Sequence, residues 1–194
     1  MNLPNIITVS RVVMSFMTAA LLCVERRWVQ TFTLALFVAA GLTDWLDGWL
    51  ARRENTVTTF GKFMDALADK IMVIGLFFVL IGLGMYKDWT IFAVFCALLS
   101  SSREFFVSGI RMLAANRQIV LPAEKIGKYK AAIQMYSIGA VIFARTLVID
   151  YGMGDGFLYN LSFYSGLVAL GISTLLSLIS GASYGKRYAY LLKD

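Results

Sequence analysis

Apolar runs of roughly 20 residues, the length a helix needs to cross the hydrocarbon core of a bilayer, follow one another along this chain. Only short polar breaks separate them. Six such segments are expected, at about 5–24, 29–51, 62–86, 89–115, 125–149 and 156–180. The breaks run from Glu25 to Arg27, Arg52 to Gly61, Lys87 to Asp88, Asn116 to Glu124 and Asp150 to Asp155. The chain is 59% hydrophobic and 15% charged, whereas a soluble domain carries about 25% charged residues. The pattern therefore predicts an all-α integral membrane protein with six transmembrane helices. No composition shift, low-complexity tract or internal repeat divides it, so residues 1–194 read as a single domain.

The same residues restrict the chemistry. There is no histidine, which excludes Ser-His-Asp and Cys-His nucleophiles, His-based proton transfer and zinc sites built on paired histidines. Cys23 and Cys96 stand alone within apolar stretches and are expected to pack, not to pair. The N-terminal MNLPNIITVSR has no basic residue ahead of its apolar run and reads poorly as a signal peptide. Any reaction must rest on carboxylates, Lys, Arg, hydroxyls and metal.

An even number of spans puts both termini on one side. Eleven basic residues fall there: Arg52, Arg53, Lys62, Arg111, Arg117, Lys125, Lys128, Lys130, Lys186, Arg187 and Lys193. Four fall on the other side, Arg26, Arg27, Lys87 and Arg145, and three lie within spans, Arg11, Lys70 and Arg103. The excess of Lys and Arg in cytoplasmic loops predicts that both termini are cytoplasmic. It also gives that face an attraction for anionic lipids and phosphorylated substrates. Trp28, Trp89, Tyr86, Tyr151 and Tyr184, near span ends, are expected as interfacial anchors.

Four aspartates sit at the edges of two of the apolar runs. Asp44 and Asp47 are three apart, Asp65 and Asp69 four apart, so on helices each pair shares a face. The short RENTVTTF connection makes the two helices antiparallel neighbours. Asp47 then lies roughly level with Asp65, and Asp44 with Asp69. Four carboxylates would converge on one cytoplasm-facing polar cavity. A charge at mid-membrane costs about 2.5–3.5 kcal/mol, less near the interface. Each close like-charge pair adds roughly 1–4 kcal/mol at effective dielectrics of 80 to 20. Either some of these groups are protonated or cations sit between them, and a histidine-free, all-oxygen site suits Mg2+ or Mn2+. The competing reading is that they terminate helices and pair with Arg52, Arg53, Lys62 and Lys70. Gly48 and Gly61 favour the first, because small residues let a backbone or ligand approach the carboxylates.

The stretch reads Asp44-x2-Asp47-Gly48-x2-Ala51-Arg52-x8-Gly61-x3-Asp65-x3-Asp69. It resembles the signature of the CDP-alcohol phosphotransferase family at all eight positions, a coincidence on the order of 10⁻¹⁰ per starting point at average residue frequencies. The resemblance implies a six-helix membrane enzyme, a homodimer, that displaces CMP from a CDP-linked lipid or alcohol with an acceptor hydroxyl. It implies two divalent metal ions held by Asp44, Asp47, Asp65 and Asp69, with Asp69 also the general base. It places Gly48, Ala51, Arg52 and Gly61 around the cytidine diphosphate, Arg52 on the diphosphate. Asn5 and Thr8 are further nucleotide contacts on the family pattern. A capping Asn5 and a back-bonded Thr8 hydroxyl are equally open.

Three looser stretches, NLPNIITVSRVVM, SSREFFVSGIR and AEKIGKYKAAIQM, are most similar to the branch of the family whose acceptor is glycerol 3-phosphate. The expected substrates are then CDP-diacylglycerol and glycerol 3-phosphate, in a bacterial inner membrane, with membrane lipids around the protein and no nucleic-acid partner. A small dianion needs cations, and Arg103, Arg111 and Lys128 are the candidates for its phosphate. An arginine well inside a span normally faces a polar cavity; the alternative is that Arg103 pairs with neighbouring Glu104. Lys125 and Lys130 read as anchors whose ammonium groups reach the membrane surface. Ser100, Ser101 and Ser102 either line the pocket or let helices pack closely. Phosphatidylglycerol, inositol phosphate and serine are alternative acceptors, the last disfavoured by so many cations. A divalent-cation transporter is a remote alternative, since its carboxylates would be spread through the membrane depth.

Overall fold

The computed structural model describes residues 3–54, 59–119, 121, 125–154 and 156–192; the side chains of 1–5, 44–60, 62–63, 65, 122–126, 128 and 191–194 fall outside that description, as do those of 120 and 155. Six helices follow in order: α1 Leu3–Leu22, α2 Val29–Glu54, α3 Thr59–Gly82, α4 Thr90–Asn116, α5 Lys125–Ile149 and α6 Phe157–Arg187. Short 3-10 turns occupy Lys87–Trp89 and Ala189–Leu192, and no strand occurs among the described residues. Three segments, Lys87–Asn116, Tyr129–Ile149 and Phe157–Arg187, are long and apolar enough to cross a membrane, and Ile6–Leu22 and Val29–Thr43 are shorter apolar helices.

The distribution of residue types is that of a protein immersed in lipid. Large apolar side chains such as Phe16, Phe32, Ile91, Phe95, Val168 and Leu175 are exposed around the outside. Such continuous apolar surface is rare on a soluble monomer. Polar side chains are inside instead, among them Thr8, Arg11, Ser15, Thr18, Thr33, Ser137, Ser173 and Ser177. Several satisfy themselves on their own helix: Ser15 donates to the Arg11 carbonyl at 2.8 Å, Thr18 to Met14 at 2.8 Å and Thr33 to Val29 at 2.7 Å.

Helices α5 and α6 form the most extensive pair, and small residues explain why. Ser137 donates to the Gly166 carbonyl and Ser162 to that of Ala140, both at 2.8 Å. A Cβ on Gly166 would lie 3.2 Å from Ala140 Cβ and 3.3 Å from the Ser137 carbonyl oxygen. In lipid, where apolar burial gives helices little reason to associate, such close backbone approach and interhelical hydrogen bonding hold the pair together. The apolar core brings Leu76 and Leu80 of α3 together with Ile138 and Ile142 of α5 and Leu170 of α6. Helix α1 packs against both α2 and α3, α4 against α6, and α2 against α5.

The ends opposite the aspartates are closed by specific devices. Asp150, just past α5 and 3% exposed, caps α2: one carboxylate oxygen accepts the Trp28 amide at 3.0 Å, the other the Thr31 amide and hydroxyl, each at 2.6 Å. These are amides a helix start leaves without intrahelical partners, and the negative charge suits the positive end of the helix dipole. Helix α3 ends in a Schellman turn. Gly84 takes the left-handed conformation (φ 65°), and the Met85 amide reaches back to the Leu80 carbonyl at 3.0 Å.

Most helix limits agree with the apolar pattern to within a few residues. Three differ more: α2 and α3 carry helix to Glu54 and from Thr59, into the expected Arg52–Gly61 break, and α6 continues to Arg187, past the expected end near 180. Of the five expected interfacial aromatics, Trp28, Trp89 and Tyr151 are exposed, but Tyr86 and Tyr184 are buried, at 0% and 1%. Cys96 is buried as expected; Cys23 is exposed, because it follows the last residue of α1.

Candidate active site

Four helices bring charged groups together at the end of the bundle that carries the aspartates. Helix α3 contributes Asp69, which is exposed, and Lys70; α4 contributes Arg103, Glu104, Ser108 and Arg111; α5 contributes Lys130; α6 contributes Ser180 and Tyr184. Arg103 donates through Nη1 to Glu104 Oε1 at 3.1 Å and through Nη2 to Ser180 Oγ at 2.6 Å. Lys130 Nζ donates to the same Glu104 oxygen. Lys70 Nζ donates to Ser108 Oγ at 2.5 Å, and the Ser108 hydroxyl donates to the Glu104 backbone carbonyl at 2.7 Å. Arg111 lies over the Tyr184 ring, 5.8 Å from its centre, with Nε 3.4 Å from the hydroxyl.

These contacts form one electrostatic unit. The charge of Asp69 acts on both Lys70 and Lys130, that of Arg103 on Lys130, and that of Arg111 on Lys70. Among the described residues, four cations face two carboxylates, Asp69 and Glu104. Lys130 is buried, Lys70 and Arg103 are half-buried and Arg111 is exposed, so the group runs from the interior to the surface and supplies the forked and point-like donors that bind phosphate oxygens. Arg103 also borders an outward-facing groove of about 720 Å³ between α4 and α6, walled by Leu99, Phe106 and Leu178, with Lys186 alongside. Its stem borders apolar surface while its head turns to the cluster.

The sequence candidates divide into three groups. Arg103 and Arg111 both turn toward α6 and join the cluster, and the expected alternative partner of Arg103, Glu104, is a real one. Asp69 and Thr8 are also described: Asp69 borders the cluster, and Thr8 is buried on α1 at 4% exposure. Asp44, Asp47, Gly48, Ala51 and Arg52 are carried by continuous helix in α2, and Gly61 and Asp65 by α3. Apart from Gly61, what these residues contact lies outside the described side chains, as it does for Asn5 and Lys128. The convergence of the four carboxylates therefore rests on helical spacing.

One residue was misread. Lys130 was expected to anchor at the membrane surface, yet it is buried, 4% exposed, and bound to Glu104. Four residues upstream of the equally buried Gln134 it occupies the inner face of α5, and that spacing was the available sequence signal. Glu104 itself, Lys70 and Ser180 were likewise not singled out as site residues.

The chain is similar over most of its length to known proteins. A CDP-diacylglycerol–glycerol-3-phosphate 3-phosphatidyltransferase of Rickettsia typhi is 32% identical over 185 residues, 95% of this chain and 96% of that protein. One of Bacillus subtilis is 33% identical over 153 residues, 73% of this chain and 76% of its own length. A cardiolipin synthase (CMP-forming) of Oryza sativa subsp. japonica is 32% identical over 153 residues, 75% of this chain but 46% of that protein. The CDP-alcohol phosphatidyltransferase family model matches residues 1–176. The chain belongs to the CDP-alcohol phosphatidyltransferase family.

Proposed function

We propose that this enzyme transfers the phosphatidyl group of CDP-diacylglycerol to glycerol 3-phosphate, giving phosphatidylglycerophosphate and CMP. The observation that carries the acceptor is the gathering of Lys70, Arg103, Arg111 and Lys130 from three helices beside Asp69, forked and point-like donors suited to phosphate oxygens. Relatives named for this reaction, one of them aligned over 95% of this chain, support it.

In this reading the acceptor phosphate is held by Arg103, Arg111 and Lys130. That fixes the acceptor hydroxyl near Asp69, converting a bimolecular encounter into an oriented attack. Asp69 accepts the hydroxyl proton. The acceptor oxygen bonds to the phosphorus that bears diacylglycerol, the bond from that phosphorus to the bridging oxygen breaks, and CMP departs with the electron pair. Arg52 contacts the diphosphate, while Gly48, Ala51, Gly61, Asn5 and Thr8 surround the nucleotide.

Asp44, Asp47, Asp65 and Asp69, on two continuous helices and with no histidine in the chain, form an all-oxygen donor set that fits hard divalent cations. Two such ions, Mg2+ or Mn2+, would neutralise diphosphate charge and stabilise the leaving oxygen. The reading further includes six membrane spans in a bacterial inner membrane, both termini and the site on the cytoplasmic side, and a homodimer.

The test is CMP release by detergent-purified protein from CDP-diacylglycerol and Mg2+, with and without glycerol 3-phosphate, with chelator as a control. Release that requires both acceptor and metal is expected. Similarity to the rice cardiolipin synthase makes phosphatidylglycerol the first competing acceptor to add. Release with phosphatidylglycerol, inositol phosphate or serine but not glycerol 3-phosphate would overturn the acceptor and keep the chemistry.

A further inference from the structure

Glu104 is an odd neighbour for a phosphate site. A pocket that only had to attract a dianion would gain by omitting a carboxylate from its midst. Yet a single oxygen of Glu104 receives both Arg103, from its own helix, and Lys130, from α5. The three side chains are 21%, 10% and 5% exposed respectively, so they are held largely by one another. Ser180 on α6 holds the other terminal nitrogen of Arg103.

We propose that Glu104 is a positioning residue for the acceptor-phosphate subsite: it sets Arg103 and Lys130 at the separation in which both address one phosphate group. The proposal rests on the acceptor assignment above. Without Glu104, the two cations would repel each other and swing apart, and a ligand would have to gather them on binding. With it, the donors are arranged beforehand, and the ligand need not supply that order.

Gly181 completes the seat. A Cβ there would lie 2.7 Å from Arg103 Cγ, closer than real side chains come. The α6 backbone thus fixes the stem of Arg103 while Glu104 and Ser180 fix its head. Replacing Gly181 displaces the arginine without altering any charge.

The sign of one measurement separates positioning from mere charge balance. Glu104→Gln keeps the shape and removes the negative charge. A counter-charge role predicts tighter acceptor binding, because the pocket becomes more positive. Positioning predicts the reverse: KM for glycerol 3-phosphate rises about tenfold or more, while KM for CDP-diacylglycerol and the unfolding midpoint stay near wild type. Glu104→Asp, which keeps the charge on a shorter arm, should fall between. Gly181→Ala should raise the acceptor KM in the same selective way.

An unchanged or lowered acceptor KM in Glu104→Gln would overturn the proposal. So would parallel losses for both substrates together with a lower unfolding midpoint, which would make Glu104 a residue of the fold. If the wild-type protein shows no release dependent on glycerol 3-phosphate, the functional reading has failed. Calorimetric titration with inorganic phosphate then decides the subsite alone: weaker binding by Glu104→Gln supports it, equal or tighter binding overturns it.

Discussion

The two ends of this helix bundle use similar residues in opposite ways. At the end away from the aspartates, polar side chains chiefly engage backbone. Asp150 accepts the Trp28 and Thr31 amides, Gln30 donates to the Val24 carbonyl at 2.7 Å, and Arg145 donates to the Leu22 carbonyl at 3.2 Å. Each of these contacts finishes a helix or closes a turn. At the aspartate end, the charged groups engage side chains of other helices. Arg103 meets Ser180, Lys130 meets Glu104 and Lys70 meets Ser108. Backbone partners cannot be exchanged without unravelling a helix, whereas side-chain partners can be traded for a ligand. On the proposed function the first end serves the fold and the second the reaction, and substitutions should separate stability from activity along that line.

The largest effect is expected at Asp69. Asp69→Asn should lower CMP release by about 10²–10⁴-fold, the usual contribution of a general base, and more if metal binding is lost with it. Because Asp69 is exposed, the unfolding midpoint in detergent should hardly move. A marked loss of stability would mean that this end also serves the fold, and the comparison would break.

Hydropathy was enough to find the six helices, because each is built around an apolar run bounded by polar breaks. It failed where tertiary contact decides. The last turns of α6, from Ser180 to Arg187, look like a polar tail, yet Ser180, Gly181 and Tyr184 are buried or pressed against α4. Tyr86 and Tyr184 look like membrane-surface anchors but point inward. A lysine near the start of a span has two destinations, the water interface or the interior, and for Lys130 the deciding partner is 26 residues away. The aspartate motif stands out in the sequence because its eight residues keep a fixed spacing on two neighbouring segments. The cation cluster was only half legible, since it is assembled from single residues on separate helices.

Lys130→Met tests that assembly. It should raise the glycerol 3-phosphate KM roughly 10–100-fold, the equivalent of about 1.4–2.8 kcal/mol. Combined with Glu104→Gln the losses should not add, because both act on one contact; a coupling of about 0.5–3 kcal/mol is expected from such neighbours. Strict additivity, measured from the four acceptor KM values, would show that Lys130 and Glu104 work independently.

Asp150→Asn is the counterpart at the other end. An amide can accept one of the donated hydrogens, but its NH2 faces donors where the second oxygen stood. Leaving buried donors without acceptors costs about 1–3 kcal/mol, visible as a lower unfolding midpoint. Both KM values should stay at wild type per folded molecule. A selective change in acceptor KM would show that the two ends communicate.

The smallest effect should come from the remaining ion pair of that end. Arg145 Nη2 lies 3.1 Å from Glu25, but the Glu25 side chain is 72% exposed. Water competes for so open a carboxylate, and ordering its side chain costs entropy, so Glu25→Gln should shift stability by less than about 0.5 kcal/mol and leave turnover alone. Arg145 retains the Leu22 carbonyl in the variant. The pair thereby calibrates the comparison: Glu25 and Glu104 are both carboxylates bound to arginine, but only Glu104 also receives a lysine from another helix. If Glu25→Gln altered acceptor KM as Glu104→Gln is expected to, location in the cluster would cease to explain the latter. If it is silent in the same assay, the effect at Glu104 belongs to the subsite and not to ion pairing in general.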